Sequence, residues 1–193
     1  MVKVKTRDKL LDAGYAEIYK HGFQGASIDN ILQACAVPKG SMYHHFKSKK
    51  ELALAVIDER LSPKMKMMLS AVNEEDDFFE QVFCVIDFIG SVPYLLESGC
   101  PLSKLISEMM PLDKDFTTHL LPIHEHMHTR LKTMIIQAVE DKQICEVDSE
   151  SLATFIIASV WGNISLGEGL VTQTSYQNAM SHLKRYLLSL KSN

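Results

Sequence analysis

Between residues 27 and 51 the chain carries three separate signals for starting a helix. Ser27 is a good N-cap, because its hydroxyl can accept from a free backbone N–H. Ile28, Ile31 and Leu32 then give that helix a buried face, and it ends near Ala34 or Cys35. Cys35, Ala36 and Val37 are small or apolar and suit a tight turn. Pro38 suits the first position of a third helix, where its missing N–H costs nothing. Ser48 and Glu51 have the Ser-x-x-Glu form of a capping box. They open a fourth helix carrying Leu52, Ala55, Val56 and Glu59 and running to about Leu69. Two short helices joined by such a turn make a helix-turn-helix.

The rest of the chain reads as helix as well. Residues 6–21 place Leu10, Leu11, Gly14, Tyr15, Ile18 and Tyr19 on one broad stripe. Gly22 ends that helix, and Phe23 folds back into the core. The acidic run Glu74, Glu75, Asp76, Asp77 is a natural first turn for the next helix. Residues 78–92 are apolar nearly all round, which predicts a central, buried helix. Gly99 and Pro101 punctuate a loop, and a short helix over 102–110 stops at Pro111. Phe116, Leu120, Ile123, Met127, Leu131, Met134 and Ala138 keep one register through Pro122, which predicts a kink there. Residues 149–170, with the small residues Gly162, Gly167 and Gly169, and residues 175–190 form two last helices. The fold class is all-α: a three-helix DNA-contacting head over 1–48, and a helical domain over 49–193 that binds an effector and dimerises.

Charge separates the same two regions. Residues 1–50 hold nine Lys/Arg against four Asp/Glu, and residues 51–193 hold eleven against twenty. A basic head on an acidic body points to a polyanion partner for the head alone. No apolar run approaches the ~20 residues of a membrane span, and the charged start does not read as a signal peptide. Four widely spaced cysteines without a C-x-x-C pattern argue against a disulfide framework or structural zinc and fit a reducing cytoplasm.

The motif GFQGASIDNILQACAVPKGSMYHHFKSKKEL, residues 22–52, resembles the DNA-binding region of the TetR family of bacterial transcriptional regulators. Ala26 and Pro38 depart from the threonine and serine common there. The resemblance implies a homodimer that binds a palindromic operator on double-stranded DNA, mostly as a repressor, and is released by an effector. It implies no enzyme activity and no cofactor. A second segment, SGCPLSKLISEM, residues 98–109, is similar to the Gly-Cys-Leu-x-Gly-Asn-Leu-x-x-Glu segment of a subgroup that includes sensors of electrophiles and oxidants. Gly99, Cys100, Leu102, Leu105 and Glu108 fit; Pro101, Ser103 and Lys104 depart.

The candidate DNA contacts follow from position. Lys39 lies in the first turn of the recognition helix, and Gly40 leaves room for the duplex backbone. Ser41, Tyr43 and His44 present donors on the exposed face. Lys47, Lys49 and Lys50 flank the next helix start, where free N–H groups favour a phosphate. Base readout falls on Lys39, Ser41, Tyr43 and Gln33, and Ser27 completes the contact set. Met42 and Phe46 point inward, with His45 turned toward the fold.

For the effector, Cys100 reads either as a reactive thiolate, its pKa lowered by a helix N-terminus or Lys104, or as a small packed residue. Cys84 and Cys35 read as core, and Cys145 as peripheral. His124 and His128 share a helix face, as metal ligands can. No carboxylate base falls at the usual spacing, so histidines lining a ligand pocket are the stronger reading. Met109, Met127 and Trp161 complete the effector set, and the chain's other methionines suit an adaptable apolar pocket or ordinary core. A reversible ligand without cysteine chemistry is one alternative; a histidine-metal enzyme with a basic head is another.

Overall fold

The computed structural model describes residues 5–70, 72, 73, 75–166 and 170–192. Glu74 of the acidic run and Gly167 and Gly169 of the penultimate helix lie outside the described residues. Among the described residues every element is helical, and the one β contact is an isolated bridge between Ile144 and Lys191. No single helix among them is long and apolar enough to cross a membrane. The chain divides into two compact units, Met1–Met65 with Lys104–Ile123, and Lys66–Ser103 with His124–Asn193. This division runs differently from a boundary at residue 48, because the helix after Ser48 buries Leu52, Ala53 and Val56 and packs on the first helix.

The first unit is built on α1 (Thr6–Gly25), against which α2 (Ile28–Cys35), α3 (Lys39–His45) and α4 (Lys49–Val56) all pack. Helices of seven or eight residues are marginal alone in water, so packing and caps hold them. Leu10, Leu11, Ile31, Met42 and Leu52 are fully buried, each worth about 1.5–3 kcal/mol by its removal from water. Ser27 Oγ caps α2 by accepting from the Asn30 N–H at 3.4 Å. Ser48 Oγ caps α4 by accepting from Glu51 N–H at 3.1 Å. The return bond differs from a standard capping box: Glu51 accepts from Lys47 N–H, one residue earlier than the cap. Pro38 also stands one position earlier than expected. It is the N-cap of α3, and its carbonyl accepts from Ser41 and Met42.

The turn between α2 and α3 is closed by two bonds, Ala36 N–H to Gln33 O and Val37 N–H to Leu32 O. This is a Schellman motif, with Val37 and Leu32 both buried beside each other's ends. It requires a left-handed residue, and Ala36 takes that place at φ 51°.

After α4 the helix widens into a π turn (Ile57–Leu61) and continues as α5 (Ser62–Ser70). The cause is Pro63, which has no N–H to give Glu59 O and whose ring would clash with that carbonyl. The widened turn moves the ladder aside, Ser62 N–H donates to Ile57 O, and the Arg60 guanidinium donates to Glu59 O at 3.1 Å.

In the second unit α6 (Phe78–Ser91), α7 (Pro93–Ser98), α10 (Ser149–Ile164) and α11 (Gln173–Ser189) pack together. Asp77 caps α6 by accepting from Glu80 N–H. Contrary to expectation, α6 is not buried all round. Phe78, Phe79, Val82, Ile86 and Ile89 face inward, while Phe88 and Cys84 are exposed. Tyr176 of α11 is buried across Gly90, and its hydroxyl donates to Ile86 O at 3.0 Å. A Cβ on Gly90 would lie 2.8 Å from that ring, so only glycine permits the approach. The last two helices begin and end differently from the sequence expectation, because Asp148 caps α10 and Thr172 caps α11 in a capping box with Ser175.

Two helices pass between the units: α8 (Pro101–Met109) and α9 (Lys114–Glu140). In α9 Phe116, Leu120, Ile123 and Met127 are buried as expected. Further along, Ile135 takes the fully buried place, and Leu131 and Met134 are half-buried.

Ala36→Gly is expected to stabilise the head. A left-handed L-residue costs about 1–2 kcal/mol, and glycine's extra chain entropy offsets about 0.5–1 kcal/mol of that relief. Denaturant unfolding should show a gain of about 0.5–1 kcal/mol; a loss would mean that Ala36 is unstrained.

Candidate nucleic-acid interface

The core side of α3 is fixed by Met42, fully buried, and by Phe46 just after it, whose ring lies under the Arg7 guanidinium at 5.2 Å. That anchoring decides what the other side presents. Lys39, Gly40, Tyr43, His44 and, beyond the helix, Lys47 are exposed, and Ser41 is half-buried. Gln33 is exposed on α2. A Cβ on Gly40 would meet nothing within 4 Å, so the approach to the backbone there is open. Lys39 has only a long contact, 3.7 Å, to the exposed Asp29. His45 is half-buried, with its ring against His44 on one side and Phe46 on the other.

Three expected contacts are otherwise engaged. Lys49 Nζ donates to Gln24 O at 3.2 Å and Ala26 O at 2.9 Å, and lies 4.7 Å from the centroid of the Phe23 ring. Lys50 Nζ lies between two carboxylates, Asp113 at 2.6 Å and Asp115 at 2.7 Å. Those bonds raise the Lys50 pKa and hold the Asp113 carboxyl below its ordinary value. The Ser27 oxygen is taken by capping, and its backbone N–H donates to Glu17. Sequence spacing placed the two lysines correctly at a helix start. It could not show that segments 25 and more than 60 positions away would bind them.

Residues 10–56 match the model of the bacterial regulatory proteins of the tetR family. Residues 87–183, half of the chain, match that of the tetracyclin repressor-like C-terminal domain. The chain belongs to the TetR family. It is 33% identical over 129 residues to an uncharacterized HTH-type transcriptional regulator in the lacX 3' region of Lactococcus lactis subsp. lactis, spanning 65% of this chain and 66%, just under two thirds, of that protein. It is 29% identical over 166 residues to the HTH-type transcriptional repressor DhaR of Mycobacterium sp. (strain GP1), covering 85% and 83% of the two chains. A TetR transcriptional regulator from Chloroflexus aurantiacus J-10-FL shares its fold at a TM-score of 0.86, with 24% identity over 97% and 96% of the chains.

In a TetR-family chain the helical body carries the effector candidates. His124, His128 and Trp161 come together: the two imidazoles stack at 6.1 Å, and His124 lies 5.4 Å from the indole. Burial, and then the neighbouring His128, push the His124 pKa down. His128 Nε2 is 3.0 Å from Thr154 Oγ1, while His119 meets Asp58 at 2.8 Å in the first unit. Among the described residues no three or more His, Cys, Asp or Glu side chains gather as metal ligands would. Met127 is buried in the second unit and Met109 in the first.

Cys100 is 5% exposed, and burial pushes its thiol pKa up, outweighing the N–H groups of Ser103 and Leu102. Lys104 does not lower it, because its ammonium donates to Tyr19 O. Cys84, expected in the core, is exposed, as is Cys145, and Cys35 is half-buried. A cleft of about 550 Å³ lies on the second unit, lined by Gln81, Arg130, Met134, Gln137 and Gln143 among others. It includes none of the six effector candidates.

Alkylation with iodoacetamide at pH 7.5, followed by peptide mass spectrometry, should label Cys84 and Cys145 well before Cys100. Labelling of Cys100 first would contradict its burial. A proton-NMR titration of His124 should give a midpoint below the ordinary imidazole value of about 6.5; a midpoint above it would contradict the desolvated stack.

Proposed function

We propose that this chain is a cytoplasmic homodimeric repressor. Its recognition helix reads a palindromic operator, and a reversibly bound small molecule releases it. One observation carries the DNA-contacting part: α3 is anchored by Met42 and Phe46 so that Lys39, Gly40, Tyr43, His44 and Lys47 remain outward and unburied. With Ser41 and Gln33 they combine side-chain donors for base edges with cations for phosphates. The α4 start offers its first backbone N–H groups to a phosphate, while the side chains of Lys49 and Lys50 serve the fold.

Dimerisation is supported by exposed apolar residues on the last two helices. Phe155 and Tyr186 meet edge to face at 5.3 Å and are about half exposed, with Leu188 beside them in sequence on α11. A monomer rarely leaves such a patch uncovered. The repressor sense follows the relative DhaR, which carries that description. Of the two effector mechanisms, the burial and raised pKa of Cys100 favour reversible occupation over attack by a thiolate. The aromatic wall of His124, His128 and Trp161 is where such a ligand would lie.

Duplexes selected from a random pool should contain an inverted repeat with half-site centres about 34 Å, or a multiple of that, apart. On such a duplex, Lys47→Ala should flatten the slope of log affinity against log salt by about 0.9. Lys49→Ala should leave that slope unchanged while costing the head about 1–2 kcal/mol of stability. Loss of slope in Lys49→Ala but not in Lys47→Ala would reverse the assignment.

A further inference from the structure

The junction between α1 and the helix-turn-helix is held by residues from far along the chain. At Gly22, φ is +72°, so the α1 ladder breaks there. In an unbroken helix the Phe23 N–H would donate to Tyr19 O, and Gln24 N–H to Lys20 O. Instead Phe23 N–H donates to Glu108 Oε2 at 2.8 Å, and Gln24 N–H to Glu108 Oε1 at 2.7 Å. Tyr19 O accepts from Lys104 Nζ at 3.2 Å. Lys104 and Glu108 are four apart on α8, so one face of that helix supplies both the donor and the acceptor the break requires. A Cβ on Gly22 would lie 2.6 Å from Glu108 Oε2, so the carboxylate fits only against glycine. Downstream, Lys49 fixes the carbonyls of Gln24 and Ala26, and Phe23 packs on Phe116 at 4.8 Å. Ser27, the cap of α2, follows at once.

We infer that Glu108 is a positioning residue for DNA binding: by holding the Phe23 and Gln24 amides it sets where α2 and α3 leave α1. It touches no DNA. Its contribution is the angle at which the exposed set on α3 meets the groove, and misplacement there reduces every contact together. This inference rests on the DNA-binding reading of α3 given above.

The test uses the full chain and a duplex that the wild-type protein selects from a random pool. Affinity is measured by fluorescence anisotropy across salt concentrations, and amide exchange at Phe23 and Gln24 by NMR. Glu108→Ala should speed exchange at both amides and weaken the duplex about tenfold or more, the scale of one lost charge-assisted bond. The salt slope should not change, since no phosphate contact is removed. Glu108→Gln, which keeps one acceptor oxygen and the side-chain volume, should leave one amide protected and recover part of the affinity. Wild-type affinity in Glu108→Ala would overturn the inference, as would protection unchanged at both amides. If Glu108→Ala fails to fold, Glu108→Gln decides alone: intermediate affinity supports the inference, and full affinity with one amide unprotected overturns it. Failure of the wild type to select any duplex would instead count against the DNA-binding reading itself.

Discussion

The left-handed backbone at Gly22 takes the N–H groups of Phe23 and Gln24 out of the α1 ladder. An amide left without a partner away from water costs about 1–3 kcal/mol. The Glu108 carboxylate accepts from both amides, and Lys104 serves the carbonyl that Phe23 has left. The first unit therefore cannot be completed by the N-terminal helices alone. It needs residues 104–123, which also bring Phe116 against Phe23 and Asp113 and Asp115 against Lys50.

That requirement explains how the basic head uses its charge. Lysines near the start of α4 look interchangeable as phosphate contacts, since all would gain from a polyanion. Two of them are already matched, Lys49 by carbonyls and Phe23, Lys50 by two carboxylates. Lys39 and Lys47 are left outward on the recognition side. A cation bound into the fold stiffens the platform from which the others act, and the cost of ordering it is met before DNA arrives.

What the sequence made legible was local. Ser27, Ser48 and Asp77 act as caps because capping needs only a side chain and an N–H a few residues on. The helix-turn-helix and the inward turn of Met42 and Phe46 followed from spacing for the same reason. The π turn over Ile57–Leu61 was missed, although Pro63 signals it by acting four residues upstream. The exposed side of α6 was missed because composition reports that Cys84 and Phe88 are apolar, while burial depends on which neighbours arrive. The fate of Lys49, Lys50, Lys104 and Glu108 depends on partners 23 to 85 positions away, and no periodicity within one helix encodes such pairings. Cys100 combines both cases: its motif was legible, but its burial was not.

The central claim is that two distant segments form one cooperative head. Native-state hydrogen exchange of the full chain, followed amide by amide in low denaturant, tests it directly. The buried amides of α1 and α4 and those of Leu105, Phe116 and Leu120 should open together, with one free energy and one denaturant dependence. Opening of the 104–123 amides with those of α10 and α11, while α1 and α4 stay closed, would contradict it.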